Sequence, residues 1–338
     1  MLYITTRNKT DSFTAYRALH EERAPDSGFF VPLRLPFFTE EQINALMAQP
    51  SGEIVARVLN LFFSSDLTGW DVDCCIGKKP VIADAVGRKT FFARGWNNPK
   101  GDFEYVSQKL YEKLTGVPGK TVTQWAGTAI RIAVLFALCS QLQRQQIAEF
   151  DMAVNAGDFA LPMAVWYARK MGLPVQKLIC VCNENSNAWD LLCRGEMDTG
   201  IAAVSTDTPD LDVSNPAALE QLIFNVLGYE EAKCYVDAVA DMALYQVKPE
   251  QLEMLNQDIY VTVVGNDRIE PVMANVYRTS SYILEPYAAV SYGGLQDHRA
   301  KTGESRNTVI LADRHPLKFS KVVQRATGLS AQELKNHF

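Results

Sequence analysis

The stretch Met152-Ala-Val-Asn-Ala-Gly-Asp-Phe-Ala160, followed at once by Leu161-Pro-Met-Ala-Val-Trp-Tyr-Ala-Arg-Lys-Met-Gly-Leu-Pro174, constrains this chain more than any other. A short apolar run, a polar turn holding Gly157, and then Pro162 at the head of a segment with apolar residues at helical spacing read together as strand, turn and helix. Such a turn aims the backbone N–H groups of a helix N-terminus into a crevice, where an anion is favoured. By spacing alone it is also simply a βα corner, found in any α/β protein.

Further apolar runs at 178–181, 201–204, 259–264 and 309–312 suit strands buried on both faces of a parallel sheet, and the segments 216–227 and 320–327 supply helices between them. That alternation gives the fold class as α/β, a doubly wound, mostly parallel sheet. Upstream, 2–5 reads as a strand, 13–19 as a helix packed on one face, and Thr39-Glu-Glu-Gln42 as a capping box. Ile54, Val55, Val58, Leu59 and Phe62 follow at helical spacing, and 79–83 and 89–93 form short strands around a turn at Gly87. The chain divides into an N-terminal helical and hairpin appendage over 1–84 and an α/β core over 85–338. A helix through Val106, Leu110 and Leu114 is joined to a strongly apolar helix, 130–142, by a short link at 115–121.

Composition excludes several classes. With 33 Lys+Arg against 39 Asp+Glu the net charge is −6, which argues against a nucleic-acid partner. The first seven residues lack the basic-then-apolar pattern of a secretory leader, and no apolar run is expected to span a bilayer, so no membrane association is expected. The seven cysteines are scattered and mostly embedded in apolar runs, reading as buried, reduced thiols of a cytoplasmic protein. The four histidines form no zinc-like cluster, so no metal is expected.

The residues 154–160, Ala168-Arg-Lys-Met-Gly-Leu-Pro174, Asn183-Glu-Asn185 and the opening Ala24-Pro-Asp-Ser-Gly-Phe-Phe-Val-Pro32 resemble the threonine synthases, pyridoxal-phosphate (PLP) enzymes of fold type II. The loop 207–215, Glu285-Pro-Tyr-Ala-Ala-Val-Ser291 and Leu311-Ala-Asp-Arg-His-Pro-Leu-Lys-Phe319 extend the likeness over nearly the whole chain. The resemblance implies a PLP phosphate cradled at Asn155, Gly157, Asp158 and Phe159, where the family loop reads Gly-Asn-Phe-Gly and this chain reads Gly157-Asp158-Phe159-Ala160. It implies a ring-nitrogen partner at Asp313, where the family has threonine. Anchored on Gly95 and Asp102-Phe103, the Schiff-base lysine position falls on Gly101, and Lys100 lies one residue early. The link at 115–121 stands where the family carries an additional αβ lobe, so that lobe is expected to be missing.

Two functions follow from the resemblance. One is a degenerate, non-catalytic paralogue without cofactor, keeping a crevice lined by Asn155, Gly157, Asp158 and Asp313 for a small amino-acid-like ligand. The other is an active PLP-dependent lyase on O-phosphohomoserine or a related amino acid, with Lys100 catalytic. A third possibility is an interaction module that meets a partner protein, or a second copy as a homodimer, through apolar surface near Trp125 and Ile130.

Overall fold

The computed structural model describes residues 1–79, 81–95 and 102–338; Lys100 and Gly101, the two candidates for the lysine position, lie outside them. Strands β1 (Leu2–Thr5), β2 (Asn8–Thr14) and β3 (Phe30–Pro32) form a small antiparallel sheet in the order β2-β1-β3. The main sheet contains β4 (Ile82–Ala85), β5 (Thr90–Arg94), β6 (Phe150–Asn155), β7 (Val175–Cys182), β10 (Ile259–Val263) and β11 (Thr308–Ala312), while β8 (Glu196–Asp198) and β9 (Leu244–Gln246) pair apart from it. Its order is β10-β7-β6-β11-β5-β4, parallel throughout except for β4, which runs antiparallel to β5 at one edge.

The apolar runs at β6 and β11 are explained by their place in the middle of this sheet. Met152, Ala153, Val154, Val309 and Ile310 are fully buried, as strands covered on both faces require. Parallel register brings the C-terminal ends of β6, β11 and β5 to one edge, with Asn155 opposite Val181 and Ala312 opposite Arg94. In open parallel sheets this is the edge where ligands bind.

Helix Gln124–Arg144 is the hub of the packing. It is long and apolar enough to cross a membrane, which corrects the expectation that no run approaches that length. Here the protein itself encloses it: Trp125, Ile130, Ile132, Phe136 and Leu142 are all buried. Trp125 meets Tyr3 and Phe62 edge-on at 5.6 Å each and Tyr167 at 5.5 Å, and its Nε1 donates to Tyr3 Oη at 3.0 Å. Tyr3 Oη donates onward to the Phe62 carbonyl at 2.8 Å, so the small sheet, helix Ser51–Phe63 and helix Ala160–Lys170 share one core. Since Trp125 and Ile130 are enclosed, they offer no apolar surface to a partner.

The capping box at Thr39 is present: Gln42 N donates to Thr39 Oγ1 at 3.3 Å and Thr39 N to Gln42 Oε1 at 2.9 Å. The connection 116–123 between helices Phe103–Thr115 and Gln124–Arg144 contains no strand. Three expectations fail. Residues 8–14 are a strand paired to β1, and the helix begins only at Ala15 behind the Thr14 cap. Residues 201–204 form no strand; Ile201 and Val204 are half exposed, and Asn185 Nδ2 and Oδ1 bind the backbone of Val204 instead. Of the seven cysteines only Cys139, Cys180 and Cys182 are buried, and Cys74, Cys193 and Cys234 are exposed.

Helix Pro286–Thr302 lies against β6, β7 and β11 and packs tightly at Gly294, where an added Cβ would stand 2.3 Å from Val181 Cγ2 and 2.7 Å from its Cγ1. Valine in a central strand has little freedom at χ1 to yield. Gly294→Ala is therefore expected to lower stability by about 1–3 kcal/mol, read as a reduced urea midpoint with an unchanged slope.

Candidate functional site

At the C-terminal edge of the sheet lies a cavity of about 820 Å³. The ends of β6 and β11 form its floor. Its walls come from the starts of helices Phe103–Thr115 and Gln124–Arg144, the 208–213 segment and Glu285 with Tyr287. Of the residues picked out from the sequence, Asn155, Gly157, Asp158 and Asp313 line it together. Phe159 does not; its backbone stands in the left-handed region (φ 70°) and its ring is fully buried, so it shapes the turn from beneath. Lys100 lies outside the described residues, and no lysine among those described lines the cavity.

The turn that opens helix Ala160–Lys170 is already filled. Asp158 Oδ1 accepts the Ala160 N–H at 3.0 Å, satisfying one of the donors that a helix start leaves open. Its carbonyl accepts from Ala218 N at 2.9 Å, so the 216–218 segment packs on the same turn. Gly157 has φ +44°, and a Cβ there would meet Leu211 Cδ2 at 3.2 Å and Asp210 O at 3.4 Å. Polar side chains hold that covering segment: Asn183 Nδ2 and Thr206 Oγ1 each donate to Asp212 Oδ1 at 2.7 Å. The Asn183-Glu-Asn185 motif thus serves to fix the 206–212 loop over the turn.

Asp313 is paired with Arg131, whose guanidinium also lies 3.6 Å from the centroid of the Phe103 ring. Beside it Arg314 pairs with Asp210 at 2.5 Å and lies 4.0 Å over Tyr287. Phe103 N donates to the Asp313 carbonyl at 3.1 Å, tying a helix start to the end of β11. Glu285 is buried and caps helix Pro286–Thr302, accepting from Tyr287 N at 2.7 Å and Ala288 N at 2.8 Å. Burial outweighs those two bonds and pushes its carboxyl up to about 8.

Arg131, Arg314 and Glu285 were not singled out from the sequence. Arg131 did leave a signal, because it is the sole charge in the run 124–143, and a charge in a buried helix requires a partner. Which partner could not be read, because Asp313 is 182 positions away.

Residues 2–79 match the family model described as "Threonine synthase N terminus". The chain is 25% identical over 226 residues to threonine synthase of Schizosaccharomyces pombe, covering 60% of this chain and 44% of that protein. It is 26% identical over 180 residues to human threonine synthase-like 1, covering 52% and 24%. These matches thus span less than half the length of the relatives. Its fold superimposes on the PLP-bound threonine synthase of Brucella melitensis with a TM-score of 0.83 at 16% identity, covering 97% of this chain and 92% of that one. The yeast threonine synthase structure gives a TM-score of 0.82 at 16% identity, covering 98% and 90%. On these grounds residues 2–79 match the threonine synthase N terminus, the chain is similar in sequence to threonine synthases, and its fold is the α/β scaffold of the fold type II PLP enzymes.

Proposed function

We propose that this chain is a non-catalytic threonine synthase-like protein in which a built-in carboxylate has replaced the cofactor phosphate, and that its cavity takes a small amino-acid-like ligand. The observation that carries this reading is the Asp158 carboxylate on the N–H of Ala160. A PLP site calls for a lysine amine, an anion nest and a partner for the ring nitrogen. The described residues fit that set poorly: the nest holds its own anion, Leu211 crowds Gly157, and Asp313 is engaged by Arg131. Two like unit charges 4 Å apart repel by about 4 kcal/mol near a protein surface, so a phosphate beside Asp158 would meet a substantial penalty.

The same electrostatics favour an ammonium group. Glu22, Asp102, Glu104, Asp158, Asp210 and Asp313 line the cavity besides Glu285, against two guanidiniums that are each paired. The ligand's ammonium would sit toward Asp158 and Asn155, and its carboxylate toward Arg131 and Arg314. Glu285, uncharged below about pH 8, adds no repulsion to that carboxylate.

When PLP is added to the purified chain, the visible spectrum is expected to remain that of the free aldehyde. A protein-bound imine band, lost on borohydride treatment and absent in Lys100→Ala, would overturn the reading in favour of a PLP-dependent lyase. In a thermal-shift panel of amino acids, at least one is expected to raise Tm, and Asp158→Asn is expected to abolish that shift.

Glu285 also gives a pH dependence. Its carboxyl is raised from 4.5 to about 8, so between those values the folded chain holds a proton that the unfolded chain releases. The stabilisation is complete below about pH 4.5 and is lost as pH rises through about 8. Denaturation of wild type and Glu285→Gln from pH 5 to 8.5 is expected to show wild type losing stability relative to the variant as pH rises.

A further inference from the structure

The opposite edge of the sheet, at the N-terminal ends of the same strands, gathers a second set of polar side chains. Asp151 lies near the start of β6, His298 in the last turns of helix Pro286–Thr302, and Glu304 in the loop before β11. One ligand atom from each lies within 4.8 Å of the other two. Asp151 and Asn155 are separated by four residues of strand, about 13 Å, so this cluster is distinct from the cavity described above.

The imidazole is the anomaly. His298 is 2% exposed, yet neither of its ring nitrogens has a hydrogen-bond partner among the described residues. A buried polar group in that state costs about 1–3 kcal/mol unless something occupies the place of the partner. Its Nε2 stands 3.5 Å from Glu304 Oε2, at the outer limit of hydrogen-bonding distance. An ion pair would require a protonated ring, whereas the neutral imidazole has a lone pair to offer.

The surroundings hold the three groups in place. Asp151 N donates to Asn307 O at 2.8 Å, Glu304 N to Thr302 Oγ1 at 3.2 Å, and Thr302 Oγ1 to His298 O at 2.8 Å. Arg299 Nη2 reaches Arg306 O at 3.2 Å and Lys89 O at 2.8 Å, pinning the loop to the sheet. A cation already leans on the carboxylates: Arg306 Nη1 lies 3.5 Å from Asp151 Oδ1 and 3.4 Å from Glu304 Oε2. Its side chain is half exposed and free to swing outward.

We propose that Asp151, His298 and Glu304 form a binding site for a divalent transition-metal ion of the zinc class, which takes the place that Arg306 now shares. One imidazole and two carboxylates are a donor set such ions accept, with a fourth position left to water. Two donors on a tetrahedral zinc stand about 3.4 Å apart, and the His298–Glu304 spacing of 3.5 Å needs almost no adjustment. The ion would fasten the start of β6, the end of the long helix and the loop before β11 at one point. Reading the histidines only against cysteines in the sequence concealed this grouping, since its other members are carboxylates.

The test is calorimetric titration of the metal-stripped full chain with ZnCl2, the exposed cysteines kept reduced, alongside His298→Ala, Glu304→Gln and Arg306→Gln. One equivalent is expected to bind wild type and raise its Tm. Loss of a ligand in His298→Ala or Glu304→Gln should weaken affinity by about tenfold or more, as removal of even a supporting group commonly does. Arg306→Gln should bind as tightly as wild type or more tightly. Glu304 is partly exposed, so its variant keeps the test decisive if His298→Ala does not fold. The proposal is overturned if wild type binds no zinc, or if Glu304→Gln binds it unchanged. An intense thiolate-to-metal charge-transfer band on Co2+ loading would likewise assign the binding to the cysteines.

Discussion

A helix that is apolar on every side must be enclosed on every side, and satisfying that demand for Gln124–Arg144 organises this molecule. Trp125 at its first turn draws Tyr3, Phe62 and Tyr167 around itself from three separate segments. Further along, Phe136 meets Phe38. The first segment of the chain thus contributes core to the main sheet rather than standing off from it. The one charge in the apolar run is subject to the same demand. Arg131 cannot be left unpaired in such surroundings, and its guanidinium settles on Asp313 and the face of Phe103.

That pairing explains how packing and site chemistry meet in one place. Asp313 follows the central strand β11 directly, and Asn155 ends the neighbouring β6, so parallel register delivers both to the same edge. Helix starts then converge on them from either side, each bringing unsatisfied N–H groups. Glu285 and Asp158 fill two of these starts with carboxylates from the chain itself. The cavity keeps the location of a ligand site while its strongest anion-attracting positions are internally satisfied.

The sequence was most legible where periodicity and turn chemistry agreed. The strand before Gly157, the helix after Ala160 and the capping box at Thr39 lie where spacing places them, and the hairpin around Gly87 is present with its first strand at Ile82–Ala85, three residues later than the expected start at 79. It misled where tertiary pairing overrode pattern. Residues 8–14 are almost wholly polar and become a strand because β1 supplies a partner, with Tyr3 opposite Phe13. Residues 201–204 are apolar enough for a buried strand but stay at the surface, their backbone claimed by Asn185. In the site, the turn residues were readable because they are contiguous. The pairs Arg131–Asp313 and Arg314–Asp210, like the approach of Asp151 to His298, join positions far apart in the chain, and the identity of such a partner leaves no local trace.

The self-filled turn at Asp158 has a thermodynamic corollary. A helix start that waits for an outside anion gains stability from that ligand by mass action, so the amount of folded protein follows ligand supply. Here the counter-charge is covalently attached two residues away, at a fixed effective concentration that no cellular pool can deplete. At this corner the scaffold is thermodynamically self-sufficient, the counter-charge for the helix start being part of the chain itself.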